Sequence, residues 1–386
     1  MEAQVESGLK EQLKALSFPQ LRLFAPGPHE LSPAVCEVLE TYRATFTHRA
    51  SEFKTCYEET ETLLRETFHI PDNYRPLIFG HTGSYNWEMV ANNTPRTGRT
   101  LGMDIGSFSK RWGQVFSDLG RHIDVLSADW GDGITPEKLR TKLSDNYDLV
   151  LLIHNETSTG VALDVEGLCE VIREESPDTL IGIDAVSIAG AVDTRIDRLK
   201  PDYYLWSLQK DFSIPTIGSV MIVSDRAMEI AKTVKHRGYV LDMVEWVERA
   251  ENHQTPMTVP DLTLRCIAAR LKEMQVEGDT RFSRHKALTE LQHDWAQERG
   301  LDLLSRPGFE SPTLSTIAVP DAVTGPDLTT AVKTHLNAQI APGYGSTASG
   351  YIRIAAMGTT SEKEMRQLLS GLSLLLDNWD QVVSTT

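Results

Sequence analysis

The stretch Asp202-Tyr-Tyr-Leu-Trp-Ser-Leu-Gln-Lys-Asp-Phe-Ser-Ile-Pro215 decides how this chain is read. Its apolar run, Tyr203 to Trp206, predicts a buried strand that delivers Ser207, Gln209 and Lys210 to its carboxyl end, just before the Pro215 turn. A lysine so placed meets a cleft, not open water. Upstream, Leu180-Ile-Gly-Ile-Asp-Ala-Val186 is a second short apolar run, and it ends on a carboxylate, Asp184. Most lysines are solvated surface groups, so Lys210 alone says little. The pair says more. A strand-end lysine with a strand-end aspartate suggests pyridoxal phosphate: the amine forms a Schiff base with the aldehyde, and the carboxylate keeps the pyridinium nitrogen protonated.

Outward from this centre, strand and helix alternate. Asp148-Leu-Val-Leu-Leu-Ile153 has the near-continuous apolar character of a strand buried on both faces, and it ends on the polar string His154-Asn-Glu-Thr-Ser-Thr-Gly160. Leu77-Ile-Phe79 predicts a short strand that turns through Gly80-His-Thr-Gly-Ser-Tyr-Asn-Trp-Glu-Met-Val90 into a helix. Such a turn points free backbone N–H groups and a positive helix end at a phosphate. It has neither the GxGxxG nor the GxxxxGK[ST] pattern, so nothing nominates a dinucleotide or a nucleoside triphosphate. Arg99 to Trp112 repeats the strand-turn-helix pattern and leaves Phe108 near the turn, where an aromatic stacks on a flat cofactor or simply joins the core. A helix at Val165 to Glu175 and a strand at Ile217 to Val223 complete a mainly parallel sheet covered by helices on both faces. Ligands bind such sheets at the carboxyl ends of the strands. Thr82, Phe108, Thr157, Asp184 and Lys210 all fall there.

The flanks are less decisive. After a polar lead-in helix, Phe24-Ala-Pro-Gly-Pro-His29 predicts a rigid, extended turn that crosses the mouth of a cleft or serves as a linker. Ser32 and Pro33 suit the N-cap and first position of a helix reaching about Tyr42. His48 and Arg49 precede a helix that begins at Ser51, a place suited to anion binding or to a solvated loop. His253-Gln-Thr-Pro256 breaks the chain before a long helix from about Pro260 to Glu277, and a second, smaller α+β domain is expected beyond it. There Thr313 to Val319 and Tyr351 to Ala355 read as strands, with helices near Gly325 to Leu336 and Ser361 to Leu376. Arg353 alternates with Ile352 and Ile354, so it faces away from them, either to solvent or into a cleft that receives a carboxylate. The expected division is an N-terminal segment over 1–30, a large domain over 31–258, and an interdomain helix with the small domain over 259–386.

Composition narrows the class. The chain has 386 residues, 40% hydrophobic and 24% charged, as in an ordinary globular protein. Its formal charge is -16, without a Lys/Arg cluster of the kind that tracks a phosphate backbone, so nucleic acid is not an expected partner. Cys36, Cys56, Cys169 and Cys266 are scattered without CxxC spacing, which argues against a zinc site or a disulfide framework. No metal is expected. The acidic start Met1-Glu-Ala-Gln-Val-Glu-Ser is unlike a signal peptide, and no run of about 18 apolar residues occurs. The expectation is a cytoplasmic protein without membrane contact.

Taken together, Pro26-Gly-Pro28, Thr47-His-Arg49, Asn155-Glu-Thr-Ser-Thr-Gly160, Asp184-Ala-Val-Ser187, Ser207-Leu-Gln-Lys210 and Arg353 resemble the class V aminotransferases of pyridoxal phosphate (PLP) fold type I. The resemblance covers nearly the whole chain. Within the class, residues 82–88, Trp206 to Lys210 and Gln254-Thr-Pro-Met-Thr258 look most like phosphoserine aminotransferases, with alanine- and serine-glyoxylate aminotransferases as the neighbouring match. The resemblance implies a PLP-dependent ping-pong transamination, phosphoserine with 2-oxoglutarate first. It implies that Lys210 is the Schiff-base and proton-shuttling lysine and that Asp184 pairs with the ring nitrogen. Phe108 and Val186 would bracket the ring, and Thr157 would contact its hydroxyl. Thr82, Gly83, Ser84 and Gln209 would hold the phosphate, with Thr255 reaching it from the other subunit of a homodimer. Arg353 would take the substrate carboxylate, while His48 and Arg49, with Gly27, would complete the substrate site. Phe108 stands where many phosphoserine aminotransferases have tryptophan, and Gln254-Thr255 where they have Asn-Thr. The His-Arg pair also occurs in the glyoxylate enzymes. Elimination, decarboxylation or condensation on the same fold, and a cofactor-bound protein without turnover, stay open as rivals. A cysteine desulfurase is disfavoured, since no cysteine follows Cys266.

Overall fold

A computed structural model describes residues 2–383. Seven strands form the central sheet: β1 (Tyr74–Phe79), β2 (Thr100–Asp104), β3 (Ile123–Ser127), β4 (Leu149–Ile153), β5 (Leu180–Asp184), β6 (Tyr203–Ser207) and β7 (Ser219–Ser224). Their order across the sheet is β1-β7-β6-β5-β4-β2-β3. Every neighbouring pair is parallel except those of β7, which runs antiparallel between β1 and β6. The reversal has a simple cause: residues 208–218 contain no helix, and a parallel return needs a crossover of about a dozen residues or more, usually helical. All five residues of β4, β5 and β6 are buried, as their unbroken apolar character requires of strands covered on both faces. At the edge, β3 buries only Leu126, so its sequence carries no comparable signal.

Two helices follow strands directly and aim at the same sheet end: α1 (Gly83–Asn92) after β1 and α2 (Ser107–Asp118) after β2. The long α3 (Asp261–Glu277) packs on the helix Ser51–Phe68 and ends at Gly278, from which α4 (Thr280–Glu298) departs. One core runs from Val35 to Met274 around the central sheet.

A second core surrounds a three-stranded antiparallel sheet of β8 (Leu314–Ala318), β9 (Ala341–Pro342) and β10 (Tyr351–Ala355), ordered β8-β10-β9. Its helices are well capped. Thr324 caps Gly325–Leu336, and Ser361 with Glu364 forms a capping box on Glu362–Asp377. Leu13, Phe18 and Phe24 from the start of the chain join this core, and Arg22–Leu23 pairs in parallel with Ala338–Gln339. Among the described residues no helix is long and apolar enough to cross a membrane.

Candidate active site

The carboxyl ends of the central strands enclose a cavity of about 160 Å³. Pairing places Asp184, the last residue of β5, beside Ile153 of β4 and Leu205 of β6, and Lys210 follows β6 by three residues. Thr82, Ser84, Phe108, Thr157, Asp184, Val186, Gln209 and Lys210 all line this cavity. Eight candidates drawn from five separate stretches of sequence therefore meet at one place.

The phosphate end is the start of α1. Thr82 is its N-cap but makes no side-chain cap bond, and Gly83 donates its amide to Ser207 Oγ at 2.7 Å. Gly83 needs its missing side chain: a Cβ there would lie 2.6 Å from Ser207 Oγ and 3.0 Å from a Val186 methyl. The Gln209 carboxamide oxygen is buried without a partner. The Thr82 and Ser84 hydroxyls and the positive helix end make a cradle that fits a dianionic phosphate.

The ring end is organised by two carboxylates. Asp184 accepts from the Trp87 indole at 2.7 Å on Oδ2 and from the Val186 amide at 2.8 Å on Oδ1. Both donors are neutral. Burial therefore dominates and pushes its carboxyl up from 3.8 to about 7, against the pull of those donors and Lys210. A carboxylate so raised fits a cationic ring nitrogen, which would draw it back down. Glu156, fully buried, instead closes the N-terminus of α2, accepting from the amides of Phe108 (3.1 Å), Ser109 (2.8 Å) and Ser158 (3.1 Å). It thereby sets Phe108 at the cavity wall. Thr157 donates to Ser187 Oγ at 2.8 Å, and Asn155 donates to the same oxygen at 2.8 Å.

Lys210 is half-buried. Its Nζ donates to the Pro26 carbonyl at 2.5 Å, and Gly27, at φ +87°, presses on its stem so closely that a Cβ would come within 2.5 Å. Burial first, and then the Arg353 charge, lower its pKa from 10.5 to about 8, with Asp184 opposing. Arg353 is 8% exposed; it donates to the carbonyls of Pro342 (3.0 Å) and Thr157 (3.2 Å) and lies over the Tyr344 ring. Of the two places its strand pattern allows, solvent or cleft, it is turned from solvent and bonded to the backbone of Thr157, a cavity-lining residue, without lining the cavity itself.

Three expected residues lie elsewhere in the chain's own structure. Thr255 donates to the Met257 carbonyl, and His48, beside Arg49, contacts Thr258 at 3.2 Å. None of them lines the cavity, although they lie near one another. A larger groove of about 750 Å³, between Pro33–Thr41, Ser51–Phe68 and α3, also holds none of them.

Several site residues have no assigned role in the sequence reading. Trp87 falls within a quoted helix start, and its position one turn beyond Gly83 was the available signal. Glu156 was visible only as part of a polar string at a strand end. Arg111, which donates to the Tyr344 hydroxyl at 2.9 Å and sits over the Phe108 ring, gave no signal.

The model of the family described as aminotransferase class-V matches residues 23–318. The serine-glyoxylate aminotransferase of Hyphomicrobium methylovorum is 28% identical over 349 residues, spanning 88% of this chain and 85% of that protein. The crystal structure of an alanine-glyoxylate aminotransferase from Nostoc sp. superposes with a TM-score of 0.86 at 25% identity, over 93% of this chain and 96% of that one. A phosphoserine aminotransferase from Cytophaga hutchinsonii shares the fold, with a TM-score of 0.84 at 24% identity over 91% and 98% of the two chains.

Proposed function

The chain belongs to the class V aminotransferases, PLP-dependent enzymes of fold type I, and we propose that it transfers an amino group from a small amino acid to glyoxylate or a similar 2-oxo acid. The observation that carries this reading is the approach of a buried arginine to the lysine: Arg353, at the Thr157 carbonyl, is the cation whose field reaches Lys210. One such guanidinium suits a single carboxylate. The serine- and alanine-glyoxylate relatives support the same substrate class.

In this reading Thr82, Gly83, Ser84 and Gln209 hold the cofactor phosphate, Phe108 and Val186 bracket its ring, Thr157 meets the ring hydroxyl, and Asp184 pairs with the ring nitrogen. Pyridoxal phosphate, when bound, supplies an electron sink for the electron pair left on the substrate carbon. Lys210 Nζ attaches the cofactor and later takes and returns the proton at that carbon. With a pKa of about 8, roughly a tenth of the amine is neutral at pH 7, far more than for a solvated lysine. Arg353 fixes the substrate carboxylate, and the Pro26–Gly27 backbone keeps water from the amine. Residues 31–258 carry the cofactor, 259–386 bring Arg353, and 1–30 join the two. A homodimer follows if Thr255, His48 and Arg49, all away from their own cavity, serve the partner's.

A second reading, phosphoserine with 2-oxoglutarate, is favoured by Arg111, which lines the cavity and offers another cation for an acidic side chain. The test is to load the protein with PLP, add serine, alanine, glutamate or phosphoserine singly, and follow the cofactor absorption while assaying the oxo acid formed. Glyoxylate and 3-phosphohydroxypyruvate are then offered as acceptors. Turnover with serine or alanine and glyoxylate supports the first reading; turnover restricted to phosphoserine and glutamate replaces it with the second. No amino transfer with any donor overturns both.

A further inference from the structure

Immediately after Lys210 the chain turns away from the cavity and buries another carboxylate. Asp211 is 1% exposed, and its Oδ1 accepts from His285 Nε2 at 2.7 Å and from the Gly358 amide at 2.8 Å. His285 lies within α4 and is fully buried; its Nδ1 faces the Arg281 carbonyl at 2.6 Å. Both ring nitrogens thus meet oxygen atoms. From α3, Arg270 reaches the Asp211 carbonyl at 3.4 Å. The Gln209 carbonyl accepts from the His29 amide at 2.9 Å, and the Lys210 carbonyl from the Ser213 amide at 3.0 Å.

The partners of Asp211 come from the other side of the molecule. His285 belongs to the helix that packs on Glu362–Asp377, and Gly358 follows β10, the strand of Arg353, by three residues. A buried polar pair is a poor way to add stability, because apolar replacements of similar volume often do as well. A pair next in sequence to Lys210, and bonded to the layer that bears Arg353, has a geometric use instead. We propose that Asp211 and His285 are positioning residues that tie the Lys210 loop to the Arg353 layer, holding the amine and the guanidinium at one spacing. Neither residue lines the cavity, so both act through Lys210. The inference rests on reading Lys210 as the reacting amine.

The test compares His285→Phe, His285→Gln and Asp211→Asn in the full-length, PLP-loaded protein, reading kcat, the amino-donor KM, the absorption maximum of the Lys210-bound cofactor, and Tm. Misplacement by about 1 Å costs up to about a hundredfold in rate. We expect His285→Phe to lower kcat by about 10- to 100-fold, raise KM severalfold and move the absorption maximum. His285→Gln, which returns a donor near the Nε2 position, recovers most of the kcat even where Tm stays low. Where His285→Phe does not fold, the isosteric Asp211→Asn carries the same expectation. Unchanged kcat, KM and spectrum with a lowered Tm would overturn the proposal and leave the pair a packing element. Lys210→Ala keeps the two failures apart: full activity in that variant removes the lysine reading itself, whereas loss of activity there beside an unaltered Asp211→Asn removes only the positioning role.

Discussion

Asp184 and Asp211 are both buried carboxylates, 3% and 1% exposed, within one neighbourhood of the fold, yet their surroundings drive them in opposite directions. Around Asp184 the donors are an indole and an amide, both neutral, and burial lifts its pKa to about 7. Around Asp211 burial acts the same way, but the His285 ring, Arg270 and the Gly358 amide more than offset it and hold the carboxyl below its ordinary value. Burial alone does not decide a carboxylate's charge; the charge of its partners does. Asp211 has the His285 ring and the Gly358 amide on its Oδ1 and Arg270 nearby, while its Oδ2 has no hydrogen-bond partner. Asp184 accepts only from neutral donors, and the Lys210 charge does not offset its burial, which marks it as the one that receives a ligand.

The largest separation of the two should appear in turnover. Asp184→Ala is expected to lower kcat by about a thousandfold or more, because no carboxylate then holds the ring nitrogen protonated, and a steady-state assay with saturating PLP checks it. Stability should reverse the ranking. Asp211→Ala removes the acceptor of the buried His285 ring and of the Gly358 amide and should cost about 1–3 kcal/mol for each group left unpaired in urea unfolding, whereas Asp184→Asn in the cofactor-free protein should be neutral or stabilising. If the two variants unfold at the same midpoint, the contrast between the two carboxylates is broken.

The pH dependence sharpens it further. For Asp184 the folded pKa, about 7, exceeds the ordinary 3.8, so its contribution to stability is present below about pH 4 and is lost as pH rises through 7. Asp211 has the opposite sign: its lowered pKa contributes stability above the ordinary carboxylate range, lost as pH falls. Measured against the unsubstituted, cofactor-free protein, the urea midpoint of Asp184→Asn should shift between about pH 4 and 7 and that of Asp211→Asn below about pH 4, in opposite senses. Smallest of all, Trp87→Phe removes one neutral donor, a bond to a charged group worth about 1.5–3 kcal/mol, and should lower kcat by about tenfold without changing the donor KM.

The sequence discloses what depends on local pattern. Leu149 to Ile153 and Tyr203 to Trp206 have a continuous apolar character that only a doubly covered strand needs, so the sheet and its carboxyl-end residues Asp184 and Lys210 are legible. Edge strand β3 is not, because Ile123-Asp-Val-Leu-Ser127 buries one side chain and carries no pattern. The reversed direction of β7 follows from loop length, which the sequence contains but strand spotting ignores. Residues whose meaning lies in a distant partner stay silent: Asp211 and His285 are 74 positions apart, and Arg111 acquires its setting from Tyr344. His48, Arg49 and Thr255 were nominated by resemblance, and their place in the chain's own fold neither joins nor explains the cavity.

The Pro26–Gly27 backbone over Lys210 has a consequence for the order in which the protein can mature. That turn is anchored by Phe18 and Phe24, which pack with residues as late as Val382, and by pairing of Arg22–Leu23 with Ala338–Gln339. Residues 18–24 therefore dock on surfaces that exist only once residues 338 and beyond have been synthesised. A nascent chain stalled after β7 would hold the lysine and Asp184 with the cavity still uncovered, and cofactor capture with a shielded amine becomes an event that waits for the strand at Ala338–Gln339 and the core around it.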